Sequence, residues 1–491
     1  MRKRDILLLV TILALAFTGC QAQVEANPET EADTATGPVS EPATPQSLAG
    51  DWQGTLKVLG MMTFDVVVHF TEKGDQLGGI IDIPKQGANG LALDNIQIHG
   101  NEVRFEMPSN MGVAVFETQL QDGKLTGEYR QAKYKGRIEL QRAAAAKEAE
   151  KKEAEPEEDL PYRQEEVRVQ NGEVTLAGTL TLPEGEGPYP AAILLTGSGP
   201  QDRNGEHYSM PGYRPFLWIA DHLTRAGIAV LRYDDRAVGE SKGGDRLADT
   251  TFDFASDAEA AMQYLAERPE IDPDQIGFIG HSEGAWIAAI VASKNSHVAF
   301  IVSLGGHAVR GAEVIEHQMK LAVPGEGFSE EEKQRQIASN KKEMELIIAQ
   351  DWEGLEAFLY EETLKVYRED PNIPKDELEQ RTREATQRQL ESRKGWFYPF
   401  VTENPADDWQ KVQSPVLAMW GAQDTSVDPA QNKAPMEAAL TRAGNQDFTM
   451  VVVPNTGHLF LDEDSGEMKL APGVLDSIAL WISERTGQTT Y

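Results

Sequence analysis

Six short, nearly unbroken apolar runs mark the second half of the chain: Ala191–Thr196, Ile228–Tyr233, Gln275–Gly280, Val298–Leu304, Val416–Trp420 and Phe448–Val453. Strands that are apolar throughout are covered on both faces, as in a mostly parallel sheet. Between them, apolar positions recur at helical spacing over Phe216–Ala226, Asp253–Arg268, Ala285–Ser293, Pro429–Ala443 and Gly473–Arg485. This alternation predicts a doubly wound α/β domain over 162–491. It is broken once. Residues 311–408 are mostly helical in pattern and highly charged, and they lie between two core strands. That placement predicts a helical cap inserted over the strand ends.

The first half has a period of two. Phe64, Val66, Val68 and Phe70 alternate with Asp65, Val67 and His69, and Val103, Phe105 and Met107 repeat the pattern. Turn signals recur at Lys73-Gly74-Asp75, His99-Gly100-Asn101 and Asp122-Gly123-Lys124. Residues 48–142 therefore read as a small antiparallel barrel or sandwich. It shows no cluster of titratable side chains, so a packed, non-catalytic module is expected, with an internal site for a small apolar ligand as the other reading. Residues 20–47 are rich in Pro, Thr, Glu and Ala and lack the apolar surface to fold, which predicts a tether. Residues 143–161 are largely Ala, Lys and Glu with Pro156 as a stop, and they predict an exposed helical linker.

Charge and the first twenty residues narrow the function. The 491-residue chain is 40% hydrophobic, enough for a sizeable core, and carries a formal net charge of −33, which would repel nucleic-acid phosphates. Arg2, Lys3 and Arg4 precede an apolar run from Ile6 to Phe17, closed by Thr18-Gly19-Cys20. That is the layout of a signal peptide over 1–19, with too few apolar residues to span a bilayer. Cys20 is the only cysteine, so no internal disulfide and no cysteine-based metal site can form. The segment resembles a bacterial lipoprotein signal, with Phe17 where Leu is usual. The resemblance implies acylation of Cys20 and anchoring to a bacterial membrane, facing the periplasm or the cell surface. An ordinary exported protein with an incidental cysteine is the alternative.

The chemistry gathers around Gly280-His281-Ser282-Glu283-Gly284, where a buried strand gives way to a helix. Glycines two positions to either side of Ser282 allow the tight turn of a nucleophile elbow, which lifts the hydroxyl above the sheet edge. A serine hydroxyl needs a base, and the base an orienting acid, which follow in the order acid then histidine. Of the later histidines, His297 enters a strand, His307 ends one, and His317 opens the charged insertion. Only His458 follows the final strand. Asp424 ends the strand before it. The reserve acid is Asp428, which precedes Pro429 and reads equally as a helix N-cap. For an oxyanion hole, the backbone N–H of Glu283 is one expected donor, with its side chain incidental. The loop Thr196-Gly197-Ser198-Gly199-Pro200 is expected to supply the other, from Ser198 first and Gly199 second. Two Asp/Arg-rich stretches, 201–203 and 232–239, are expected to fix loops, with direct substrate contact as the other reading. Tyr233, Trp396 and Tyr398 are candidates for a substrate pocket, the last two alternatively for the cap's own core.

GHSEG, TGSGPQDR, RYDDRAVGES, GAQD and NTGHLF occur in the order seen in α/β-hydrolases, and residues 162–491 resemble the bacterial esterase-like branch associated with the serine aminopeptidases. The resemblance implies an α/β-hydrolase fold with Ser282 as nucleophile, Asp424 as acid and His458 as base. It implies hydrolysis of a small-molecule carboxylic ester, with no metal or organic cofactor. An exopeptidase or amidase is the alternative, and a non-catalytic surface binding lipoprotein the remote one. One departure is Ala237, where that branch usually has glycine.

Overall fold

The structure, a computed structural model, describes residues 43–58, 62–73, 76–83, 88–109, 112–131, 134–142, 160–206, 212–245, 248–321, 330–462 and 468–487. The expected signal peptide, Cys20, most of the tether and residues 143–159 of the expected linker lie outside these. The chain divides into two compact units: Met1–Glu155 with Ala322–Leu346 and Asp351–Leu390, and Pro156–Leu321 with Ile347–Gln350 and Glu391–Tyr491.

In the first unit nine antiparallel strands follow the period-two pattern: β1 (Gly50–Val58), β2 (Met62–Lys73), β3 (Gln76–Ile83), β4 (Ala88–Ala92), β5 (Asp94–His99), β6 (Glu102–Ser109), β7 (Gly112–Gln121), β8 (Lys124–Gln131) and β9 (Tyr134–Arg142). Their order is β4-β3-β2-β1-β9-β8-β7-β6-β5. The two edge strands are consecutive in sequence, and the Leu93 N–H between them donates to the Gly79 carbonyl at 2.9 Å. The sheet thus curls into a nearly closed barrel, which hides the unpaired backbone of its edges. Phe70, Phe105 and Phe116 pack inside, Phe70 edge-on to Phe105 at 5.6 Å and Phe105 stacked on Phe116 with centroids 4.7 Å apart. The unit starts earlier than the sequence suggested. Ala43 and Leu48 are in its core, and the Trp52 indole donates to the Leu48 carbonyl at 2.7 Å.

The second unit carries the eight-stranded sheet: β10 (Tyr162–Asn171), β11 (Val174–Pro183), β12 (Tyr189–Leu195), β13 (Ala229–Tyr233), β14 (Ile271–His281), β15 (Ile301–Leu304), β16 (Val416–Gly421) and β17 (Phe448–Val453). The order is β10-β11-β13-β12-β14-β15-β16-β17. The six strands from β12 onward are parallel, and the β10–β11 hairpin closes one edge antiparallel. Helices α1 (Pro215–Arg225), α2 (Thr251–Ala266) and α3 (Glu283–Ala292) connect the central strands. After α4 (Gly311–Leu321), α5 (Glu330–Ile348), α6 (Trp352–Glu369), α7 (Leu378–Lys394) and α8 (Phe397–Thr402) come α9 (Pro429–Arg442) and α10 (Val474–Thr486). Residues of α2, α3 and α9 share one core cluster and those of α1 and α10 the other, so helices cover both sheet faces. This is an α/β-hydrolase fold. Every residue of α3 is buried, which accounts for a helix apolar on nearly all sides. The expectation that Phe448–Val453 is covered on both faces needs correcting: β17 is an edge strand, and Val452 is exposed.

The insertion also departs from the single cap expected over 311–408. Asp351–Leu390 groups with the barrel, whereas α4 and Glu391 onward group with the large sheet. The cause lies on the outer face of β7, where Val113 and Val115 share an apolar cluster with Tyr367, Ile373 and Ala385. The Asp370 carboxylate accepts the Val113 N–H at 2.5 Å, and Arg381 pairs with the buried Glu106 at 2.6 Å. A run buried on both faces is apolar without alternation, and Gly112–Phe116 (GVAVF) has that pattern.

The Asp/Arg stretches do fix loops. Arg203 donates to Asp234 from Nε (3.0 Å) and Nη2 (2.8 Å), and Arg236 does the same to Asp257 from Nε (2.7 Å) and Nη2 (2.9 Å). Between them Ala237 has φ of 56°. A side chain in that left-handed region costs about 1–2 kcal/mol, against about 0.5–1 kcal/mol of extra chain entropy lost by glycine. Ala237→Gly is therefore expected to raise stability by up to about 1 kcal/mol in denaturant titration. A lowered midpoint would contradict this account.

Candidate active site

The site is built where β14, β15, β16 and β17 end side by side. Ser282 follows β14 with φ of 54° and ψ of −117°, a strained conformation that L-residues avoid. Both flanking glycines are required by space. A Cβ on Gly280 would collide with the backbone of Gly284, and one on Gly284 with the carbonyls of Leu195 and Thr196. The elbow can thus turn sharply and lie against the loop after β12. The Ser282 N–H donates to the Leu304 carbonyl at 2.8 Å, fixing it to the end of β15.

Gly305 follows β15, at φ of 62°, and the ring of His458 occupies the space a side chain there would need. His458 Nδ1 lies 2.8 Å from Asp424 Oδ2. A ring nitrogen facing a carboxylate oxygen carries the proton, which leaves Nε2 able to accept one. The Asp424 side chain is fully buried, and its Oδ1 accepts the N–H groups of Ser426 and Val427, each at 2.8 Å. Those bonds hold the carboxylate toward the imidazole. The loops after β16 and β17 are laced together by Gln423 N–H donating to the Thr456 carbonyl at 2.9 Å. Asp428, the reserve acid, instead caps α9 through the Ala430 N–H (2.7 Å) and pairs with His317 (2.8 Å).

The loop Thr196–Gln201 is held by Asp235. Its carboxylate accepts the Thr196 hydroxyl at 2.7 Å and the Gln201 N–H at 2.9 Å. The Gln201 amide donates in turn to the Gly197 carbonyl at 3.0 Å. A Cβ on Gly197 would come 3.1 Å from Ser282 Cβ, so Ser198 follows the point where loop and elbow meet. Gly199, at φ of 87°, makes the turn. Glu283 is the first residue of α3, where a backbone N–H has no intrahelical acceptor.

Residues 192–468 match the Alpha/beta hydrolase family. The chain belongs to that family. This alpha/beta hydrolase is 26% identical over 318 residues to Esterase EstD of Thermotoga maritima, covering 62% of this chain and 65% of that protein. It is 29% identical over 158 residues to the peroxisomal succinyl-coenzyme A thioesterase of Mus musculus, covering 32% of this chain and 33% of that protein. The chain thus spans less than two thirds of the length of either relative. Among solved structures, an esterase of Pyrococcus furiosus is similar with a TM-score of 0.42 at 16% identity, covering 68% of this chain and 95% of that one.

The three pocket candidates part ways in the hydrolase. Tyr233 packs in the core cluster, and burial pushes its hydroxyl pKa well above the usual tyrosine value. Tyr398 accepts a hydrogen bond from the Gln350 amide at 2.6 Å. Trp396 stacks on Phe400, centroids 4.7 Å apart, and its indole N–H donates to the Glu283 carboxylate at 2.8 Å. The Glu283 side chain, read from sequence as incidental, is buried and also accepts the Thr251 hydroxyl at 2.6 Å. The only signal for it was a carboxylate opening an otherwise apolar helix. His281 was missed as well. Burial, then the neighbouring His458 imidazole, lowers its pKa to about 4, so it is neutral near pH 7. Its Nε2 faces the His458 carbonyl at 3.1 Å and must be the donor. His307 is likewise held near 4 by burial and packs edge-on to Trp286 at 5.6 Å.

Proposed function

We propose that this alpha/beta hydrolase cleaves carboxylic esters through an acyl-enzyme formed on Ser282. The observation that carries the reading is the Asp424–His458 hydrogen bond at 2.8 Å, at the same sheet edge as a serine held in a strained turn. His458 Nε2 takes the hydroxyl proton as Ser282 Oγ attacks the acyl carbon. Asp424 stabilises the resulting imidazolium without taking the proton. The N–H groups of Glu283 and Ser198 receive the oxyanion. The imidazolium protonates the departing alkoxide. Water, deprotonated by the same nitrogen, then attacks the acyl-enzyme and frees the acid. The test is turnover of p-nitrophenyl acyl esters set against aminoacyl anilides. Ester turnover with little anilide turnover is expected, and the reverse would replace the esterase reading with that of an exopeptidase.

For the N-terminal segment we propose export, cleavage before Cys20 and acylation of that cysteine, supported by the basic, apolar and small-residue layout alone. Two lipid signals hold a protein on a bilayer where one does not. Cys20→Ser should therefore move the protein from the membrane pellet to the supernatant, and an unchanged pellet fraction would sink the proposal.

A further inference from the structure

The proposed base has to reach the nucleophile from a distance. Ser282 follows β14 and His458 follows β17, with β15 and β16 between them. Three steps at ordinary strand spacing are about 14 Å. A base must come within hydrogen-bond reach of the hydroxyl it deprotonates. The loop after β17 therefore has to fold back across two strand ends and be held there. The sheet does not hold it, because the pairing of β17 ends at Val453, before the turn that carries His458. Phe460, on the same loop, has φ of 52°, a left-handed conformation that is an outlier for a bulky residue and needs outside support.

Two side chains from other parts of the chain grip the main chain of this loop. His281 Nε2 donates to the His458 carbonyl at 3.1 Å, and the Tyr213 hydroxyl donates to the Leu459 carbonyl at 2.6 Å. The two carbonyls are consecutive, so the pair of bonds fixes the tilt of the segment as well as its place. Tyr213 is buried just before α1 and meets Trp218 of that helix edge-on at 5.7 Å. His281 is the last residue of β14 and the chain neighbour of Ser282. Its ring also packs on the His458 ring, with centroids 4.8 Å apart. On its other side lies Gly197, where a Cβ would come 3.2 Å from His281 Nδ1. One imidazole thus adjoins the nucleophile, the loop of Ser198 and the loop of the base. Both donors line one mostly apolar pocket with Phe216, Leu304 and Phe460, surroundings in which a hydrogen bond is stronger than in water.

We propose that His281 and Tyr213 are positioning residues for the base, whose donations to the consecutive carbonyls of His458 and Leu459 hold its loop over the elbow. The inference rests on the reading of Ser282 as nucleophile and His458 as base. Hydrogen bonds that served stability alone would lower the thermal midpoint when lost and leave turnover by the folded protein unchanged. Positioning lowers kcat. It also slows labelling of Ser282 by a fluorophosphonate by the same factor, because both reactions need His458 to take the hydroxyl proton.

The experiment compares His281→Phe, which keeps a ring without an N–H, His281→Gln, whose amide nitrogen reaches the place of Nε2, and Tyr213→Phe, which removes one oxygen. It reads kcat and KM on p-nitrophenyl acetate and octanoate, the labelling rate, and the thermal midpoint to establish folding. His281→Phe should lower kcat about thirtyfold on both esters with KM within about twofold, and slow labelling to match. His281→Gln should recover kcat to within about fivefold of wild type, and Tyr213→Phe should lower it about fivefold. A folded Tyr213→Phe with unchanged kcat overturns the proposal, and so does a His281→Gln no more active than His281→Phe. If His281→Phe does not fold, the result for Tyr213→Phe decides alone. Ester turnover that survives Ser282→Ala or His458→Ala would instead reject the reading of the site itself.

Discussion

Ser282→Ala is expected to remove ester turnover and labelling by a fluorophosphonate, with kcat lower by at least about four orders of magnitude. The loss should be chemical and not structural. Ser282 makes no side-chain cap to α3, so removing its hydroxyl costs the helix no hydrogen bond. Alanine bears the same backbone strain as serine at φ of 54°. The thermal midpoint should therefore stay close to wild type while activity vanishes. Ester hydrolysis that survives in Ser282→Ala would move the chemistry to another residue and take the acyl-enzyme with it.

Asp424→Asn should lower kcat by about four orders of magnitude, because it inverts the protonation of the base. The carboxylate has two oxygens with separate duties: Oδ1 takes two backbone N–H groups and Oδ2 takes His458 Nδ1. Asparagine has one acceptor oxygen. If that oxygen keeps the backbone donors, the amide nitrogen faces Nδ1 and donates to it. The imidazole proton then moves to Nε2, and the base is lost. If the amide flips, two buried N–H groups face two amide hydrogens, at a cost of about 1–3 kcal/mol for each unsatisfied group. The flipped arrangement would keep Nε2 as the base but carries that cost, so the first arrangement prevails and kcat falls, which separates this variant from Asp428→Asn. That change weakens the cap of α9 and the pair with His317. It is expected to lower the denaturation midpoint and to leave kcat within about threefold, since its partners are a cap and a surface pair. Equal losses of kcat in both variants would reject Asp424 as the acid.

The parallel core was legible because β12, β13, β15, β16 and the Ile276–Gly280 part of β14 are short runs buried on both faces, and most of the helices between them carry the 3.6 period. The barrel was legible from its period of two. The β10–β11 hairpin was not, because Tyr162–Asn171 has one face exposed and mixes charged with apolar positions. Nor was the division of the insertion. The helices that cover β7 carry few apolar residues, and their attachment to the barrel depends on Asp370 and Arg381 finding partners more than two hundred positions away.

The candidate site divides the same way. Ser282, Asp424 and His458 could be named from the sequence, because each follows a strand whose pattern is plain and strand ends define one edge of a parallel sheet. The same holds for the glycines of the elbow, whose spacing is a local steric matter. What the sequence could not supply is which side chains fill the space around those ends. Gly305 under His458, Asp235 beneath the loop of Ser198, His281 against the His458 carbonyl and Glu283 between Thr251 and Trp396 are all contacts across long separations. Periodicity records which face of an element is buried, but not what it is buried against. By itself the sequence therefore determined most of the elements, their layers and the order of the candidate residues along them. The tertiary structure alone decided that the carboxylate beside Ser282 is a buried junction, because only folding brings Thr251 and Trp396 to it.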